Sequence, residues 1–115
     1  MTTFLRSYLE CALWSSTDDN DQPFDDNYTI DDLAPEAIAA AERDCKAFGD
    51  DLPEYNHPQY TNEEMAGHDF WLTRNRHGDG FWGRDLENDI WTDRAHKFGE
   101  TDLYLGDDGK LYFSR

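Results

Sequence analysis

The stretch Thr101-Asp102-Leu103-Tyr104-Leu105-Gly106-Asp107-Asp108-Gly109-Lys110-Leu111-Tyr112-Phe113 decides the fold. Two short runs of apolar and aromatic residues flank Gly-Asp-Asp-Gly, whose residues accept the backbone angles of a tight reversal, and this is the clearest hairpin signal in the chain. It puts antiparallel sheet at the end of a sequence that opens on helical patterns. The class that follows is α+β.

Reading back from the hairpin, Ile90, Trp91, Ala95 and Phe98 share one helical face, Asn88 or Thr92 suits the start and Gly99 the end. Before that, Phe70-Trp71-Leu72-Thr73 has strand character, Asn75 to Gly80 is rich in turn formers, and Phe81-Trp82 resumes apolar character. That order predicts a first β-hairpin. Thr61 and Glu64 have the spacing of a capping box for one short turn ending near Gly67, and Pro53 and Pro58 oppose helix within 49–60.

Two helices are expected nearer the N-terminus. Phe4/Leu5, Tyr8/Leu9 and Ala12/Leu13 recur at helical spacing over Thr3 to Trp14, and Ile38, Ala41, Cys45 and Phe48 do so over roughly 35–48. Pro35 suits the first turn of the second helix and Glu36 its positive end, with Gly49 as the stop. Between the helices lies an acidic loop at about 15–34, with seven Asp among turn formers in residues 16–32, which predicts a solvated loop. The expected architecture is one domain over residues 1–115. N-terminal helices pack with a small antiparallel sheet of two β-hairpins separated by a helix.

Charge bounds the function. The chain has 26 Asp and Glu against 10 Lys and Arg, a formal net charge of −16 on 115 residues. Residues 1–58 hold 14 acidic and 3 basic side chains and residues 59–115 hold 12 and 7, so the first half carries most of the field. Such a surface repels nucleic acid and anionic membrane, and a basic groove on another protein attracts it. Disorder is the ordinary reading of an acidic stretch. Here four Trp, six Tyr and seven Phe supply a core instead.

The sequence contains no apolar run near the ~20 residues of a membrane span and no basic-then-apolar leader, which predicts a soluble cytosolic protein. Cys11 and Cys45 fall on predicted helix faces and read as reduced core thiols rather than a disulfide. A monomer is the default, because a homodimer would join two strongly negative chains.

Chemistry has one candidate location. His68, Asp69, Arg74, Asn75, Arg76, His77 and Asp79 bring proton-transfer and anion-binding groups within twelve positions. On an extended strand His68 and Arg74 would face one side, and Arg74 with Arg76 could hold a phosphate or carboxylate while His77 acts as acid or base. This gives the alternative function, a small enzyme or anion-ligand-binding protein using His68, Arg74, His77 and Asp79. The competing reading is structural: Asn75, Gly78, Asp79 and Gly80 are turn residues, and the arginines pair internally. The segment lacks a nucleophile elbow, a P-loop or a zincin pattern. The reading therefore favours a protein that is not an enzyme.

No cofactor or metal is expected. Asp18-Asp19-Asn20-Asp21 lacks the Gly and downstream Glu of an EF-hand, and His57, His68, His77 and His96 are too dispersed to name a zinc site. Trp71, Phe81, Trp82, Trp91, Tyr104 and Tyr112 could form a stacking platform for single-stranded nucleic acid, but such platforms sit in positive grooves. The restricted basic cluster Arg74, Arg76 and Arg84 could be a local exception to that sign. Core packing is the expected use of these aromatics, with no direct nucleic-acid binding.

The block from Gly67 to Trp82, GHDFWLTRNRHGDGFW, resembles a family of small acidic proteins encoded by tailed bacteriophages and related mobile elements. Tyr8-Leu9-Glu10-Cys11-Ala12-Leu13-Trp14-Ser15-Ser16, Asp31-Asp32-Leu33-Ala34-Pro35-Glu36, Ala95-His96 and Asp102 to Gly109 resemble further family segments, so nearly the whole chain is covered. The resemblance implies a phage or prophage product acting in the cytoplasm of a bacterial host. The family is functionally uncharacterised, so it supplies context without chemistry.

That context and the charge together point to an acidic inhibitor of a host nucleic-acid-binding defence protein, of restriction or CRISPR type. Duplex DNA carries about one charge per 1.7 Å of axis, so an occupant of a DNA groove must present many carboxylates on a rigid face. The candidate surface is Asp18, Asp19, Asp21, Asp25, Asp26, Asp31 and Asp32 of the loop with Glu36, Glu42, Asp44, Asp50 and Asp51 of the second helix. The plainer reading is that the charge serves solubility.

Overall fold

A computed structural model describes residues 2–18, 20–51, 63–76 and 94–114. In chain order it shows α1 (Thr3–Ser15), two 3-10 turns (Phe24–Asp26 and Ile30–Asp32), α2 (Pro35–Asp51), α3 (Glu63–Arg74), a helical turn at residues 94–96, and strands β1 (Leu103–Leu105) and β2 (Leu111–Phe113). The arrangement is α+β.

α1 follows its periodicity. Thr2 caps it by accepting a hydrogen bond from Leu5 N at 3.1 Å, and Phe4, Leu5, Tyr8, Leu9, Ala12 and Leu13 form its buried stripe. α2 buries Ala41, Cys45 and Phe48, as the spacing predicts, while Ile38 is partly buried against the core and Ala37 is buried in addition; the helix runs on through Gly49 to Asp51.

α3 corrects the sequence reading. Phe70-Trp71-Leu72-Thr73, expected as the leading strand of a first hairpin, is helical, and Gly67 lies inside the helix rather than ending a short turn. The cause is burial on nearly all sides. Ala66, Gly67 and every residue from Asp69 to Asn75 are buried, so the segment has no polar stripe to reveal its period, and a short apolar run reads alike as buried helix or buried strand. The returning arm at Phe81-Trp82, the turn 77–80 and Thr61 lie outside the described residues.

Gly67 serves the packing of α3 on α1. A Cβ at this position would collide with the Phe4 carbonyl oxygen and lie 3.2 Å from Ser7 Cβ, so only glycine lets the two backbones approach this closely. Aromatic rings meet between α3 and both other helices. Phe48 stacks on Phe70 with centroids 4.1 Å apart and planes 8° from parallel, and Tyr8 meets Trp71 edge-to-face at 5.3 Å. Pairs in such geometry contribute about 0.5–1.5 kcal/mol each beyond the area they bury.

The C-terminal hairpin forms as read. Leu103 pairs with Phe113, Tyr104 with Tyr112 and Leu105 with Leu111, and Gly109 takes φ +81° in the turn. Leu103 and Leu111 face the core, where Phe113 reaches Trp71 at 5.6 Å. Of the helix expected before the hairpin, residues 94–96 are helical and Ala95 is buried; Gly99, at φ +74°, closes the turn, and 88–93 lie outside the described residues. A parallel bridge joins Leu33 to Leu111, and Ala34 N donates to Leu111 O at 2.9 Å. The acidic segment is thereby fastened to the sheet.

Candidate partner surface

The acidic segment differs from a free solvated loop because its own carboxylates close it. Asp18 Oδ1 accepts from Asn20 N at 2.8 Å and from Gln22 N at 3.1 Å, Thr17 bridges Pro23, and Asp21 sits at φ +62°. Further on, Asp32 Oδ2 accepts from Thr29 N at 2.8 Å while Thr29 Oγ1 accepts from Asp31 N at 3.3 Å. Phe24, 2% exposed, anchors the segment between these two closures and meets Tyr28 edge-to-face at 5.9 Å.

The acids therefore divide by use. Asp18 and Asp32 turn one oxygen to the backbone, and Asp21, Asp25, Asp26 and Asp31 are exposed. On α2, Glu36 and Glu42 are exposed and Asp44 is half-buried. Asp50 and Asp51 end that helix, and Asp19 lies outside the described residues.

Asp44 faces Arg74, and this pair accounts for the arginine that the sequence offered as an anion ligand. Arg74 is 3% exposed. Its Nη1 donates to Asp44 Oδ2 at 2.7 Å and to Tyr8 Oη at 2.9 Å, its Nε to Gly99 O at 3.0 Å and its Nη2 to Phe98 O at 3.1 Å. The guanidinium carbon also lies 5.7 Å from the centroids of Phe70 and Phe98. Four protein oxygens thus use a group that has five N–H bonds, and the arginine holds α1, α2, α3 and the 97–99 turn together.

The expected one-sided display of His68 and Arg74 also changes, because the two stand on a helix rather than a strand. His68 is partly exposed, its Nδ1 3.6 Å from Asp69 Oδ1 and its ring 5.9 Å from Trp14. His77 and Asp79 lie outside the described residues.

Burial sets the protonation of the groups around this hub. It raises the Tyr8 phenol well above the ordinary range, opposed by the nearby charge of Arg74, and it raises the Cys45 thiol, with Asp44 adding to the effect. Cys11 is pushed up to about 12, mainly by burial and further by Asp69. Both cysteines are free and buried, as the sequence predicts.

A feature that sequence reasoning missed lies on the outer face of the hairpin. Tyr104, assigned to the core with the other aromatics, is 47% exposed, and its ring stacks on Tyr112 with centroids 5.9 Å apart. Tyr112 donates to Asp108 Oδ2 at 2.6 Å, a bond that pushes the phenol up to about 12 and holds the Asp108 carboxyl below its ordinary value. The negative charge of Glu36 also acts on this phenol. The signal was the alternation of Leu and Tyr in β1, which gives a two-stranded sheet one buried and one open face.

No family model, curated protein or solved structure matched the chain when it was compared with each. Among the described residues, no helix is long and apolar enough to cross a membrane, and no three His, Cys, Asp or Glu side chains gather as metal ligands.

Proposed function

We propose that this protein is a phage-encoded accessory protein that inhibits a host nucleic-acid-binding defence protein, of restriction or CRISPR type, by offering carboxylates where that protein expects phosphates. The observation that carries the reading is the exposure of Asp25, Asp26 and Asp31 on short turns closed by local hydrogen bonds, on a chain of net charge −16. Carboxylates carried on a backbone already ordered lose less entropy on binding than those of a free tract. The phage setting rests on the resemblance of the block Gly67–Trp82 and its companion segments. The reading through Arg74 and His68 is less favoured, because every described hydrogen bond of Arg74 is internal.

The test is capture of partners from bacterial lysate on the immobilised chain, followed by elution with duplex DNA. A basic nucleic-acid-binding protein released by DNA, and bound more weakly as salt rises, is the expected result. Absence of any partner displaced by DNA would overturn the proposal.

A further inference from the structure

We infer that the outer face of the β1–β2 hairpin, where the stacked Tyr104 and Tyr112 rings are bordered by Asp108 and Glu36, is a docking surface for arginine side chains of a basic protein partner. This rests on the reading above that the partner is basic, and it names a contact outside the acidic segment.

Three observations lead to arginine. First, the Tyr104 ring, 47% exposed and stacked on its cross-strand partner Tyr112, gives the outer face of a two-stranded sheet an open aromatic surface. The face of an aromatic ring attracts a cation, and a planar guanidinium can lie flat on it. Second, the carboxylate beside the rings is fixed before any partner arrives: Asp108 Oδ2 accepts from Tyr112 Oη and Asp108 Oδ1 from Lys110 N at 3.0 Å. The Tyr112 ring is itself seated on Gly106, where a Cβ would lie 2.6 Å from Tyr112 Cε2. Third, among the described residues the hairpin and its border carry Glu36, Asp102, Asp107 and Asp108, all exposed, against the ammonium of Lys110.

Other occupants fit less well. A second copy of this chain, or a nucleic acid, would meet like charge. A purely apolar partner would find the rings bordered by carboxylates that it leaves desolvated. An arginine satisfies both halves of the patch, its plane on a ring and its N–H groups toward the acids.

The experiment is titration of the isotope-labelled full chain with nona-arginine and, separately, nona-lysine peptides at low salt, followed by amide chemical shifts. The expected result is shifts at Tyr104, Leu105, Tyr112 and Glu36, with the arginine peptide bound more tightly than the lysine peptide. Tyr104→Leu should weaken the arginine peptide by about two- to fivefold, and Tyr104→Phe, which keeps the ring, should restore it. Shifts confined to Asp25, Asp26 and Asp31, or unchanged affinity in Tyr104→Leu, would overturn the hairpin assignment while leaving a basic partner in place. Failure of both peptides to bind would overturn both readings.

Discussion

Arg74 Nη1 lies 2.7 Å from Asp44 Oδ2, fastening the last turn of α3 to α2 across thirty positions of sequence. The two partners are unequal in burial, with 3% of the arginine side chain exposed and 34% of the aspartate. Water can therefore replace part of what the carboxylate loses when the pair is broken. It cannot do the same for the guanidinium or for Tyr8 Oη.

Arg74→Ala should destabilise the fold by about 3 kcal/mol, because it strips partners from Asp44, the Tyr8 hydroxyl and two backbone carbonyls at once. Asp44→Asn, which keeps an oxygen acceptor and sits partly in water, should cost about half as much or less. Urea unfolding of both variants measures the difference. Equal losses would mean that the arginine is not the centre of the network.

At Gly67, intrinsic helix propensity and packing predict opposite signs. In an exposed helix interior, Gly→Ala gains about 1 kcal/mol. Here the added methyl meets the Phe4 carbonyl, a backbone atom that cannot move without shifting α1, so Gly67→Ala should lower stability by about 1–3 kcal/mol. A higher melting temperature for the variant would refute the close approach of the two helices.

Stability should fall in alkali. Tyr8, Cys11 and Cys45 all hold their protons more tightly in the fold than their ordinary values allow. Between the ordinary and the raised value the unfolded chain binds fewer protons, so unfolding becomes more favourable as pH rises. For Cys11 the stabilisation is complete below 9.0 and is lost as pH climbs toward about 12. The urea midpoint should decline from about pH 8 to about pH 11. A thiol reagent should label both cysteines quickly in urea and slowly in the native protein. A flat pH profile with fast native labelling would contradict the burial of these groups.

Adjacent acids in the loop should respond differently. Asp32→Ala removes the acceptor of Thr29 N and should cost about 1 kcal/mol. Asp31→Asn changes an exposed side chain on a chain of net charge −16 and should stay within about 0.5 kcal/mol of the parent, on the stabilising side. Loss of partner binding should show the reverse order if Asp31 faces the partner. Chemical denaturation and partner affinity, measured on the same two variants, separate structural carboxylates from displayed ones.

The sequence made legible those elements whose pattern is local. α1 and α2 have one apolar stripe each, and Gly106 to Gly109 has the chemistry of a tight reversal, so three of the main elements follow from spacing and turn residues. α3 does not, because Phe70, Trp71, Leu72 and Thr73 are all buried and their order carries no period. Gly67 reads as punctuation in a linear text and acts as a space-saver in the fold. Arg74 looked like an anion ligand because its partners, Asp44 and Tyr8, stand 30 and 66 positions away. The closure of the acidic segment was open to reading, since Thr29 and Asp32 have capping-box spacing. The exposure of Tyr104 was equally open to reading, from the alternation in β1.

The link between Ala34 N and Leu111 O gives the surface a property that neither end of the chain has alone. It sets the distance from the carboxylates of residues 25–36 to the tyrosines of the hairpin by a rigid joint rather than by the many residues between them. A partner that touched one patch would find the other already at a fixed reach, so the second contact would form as an intramolecular event at high effective concentration. On the proposed reading the fold would act as a ruler with two marks, selecting partners by the separation of their basic groups as well as by their number.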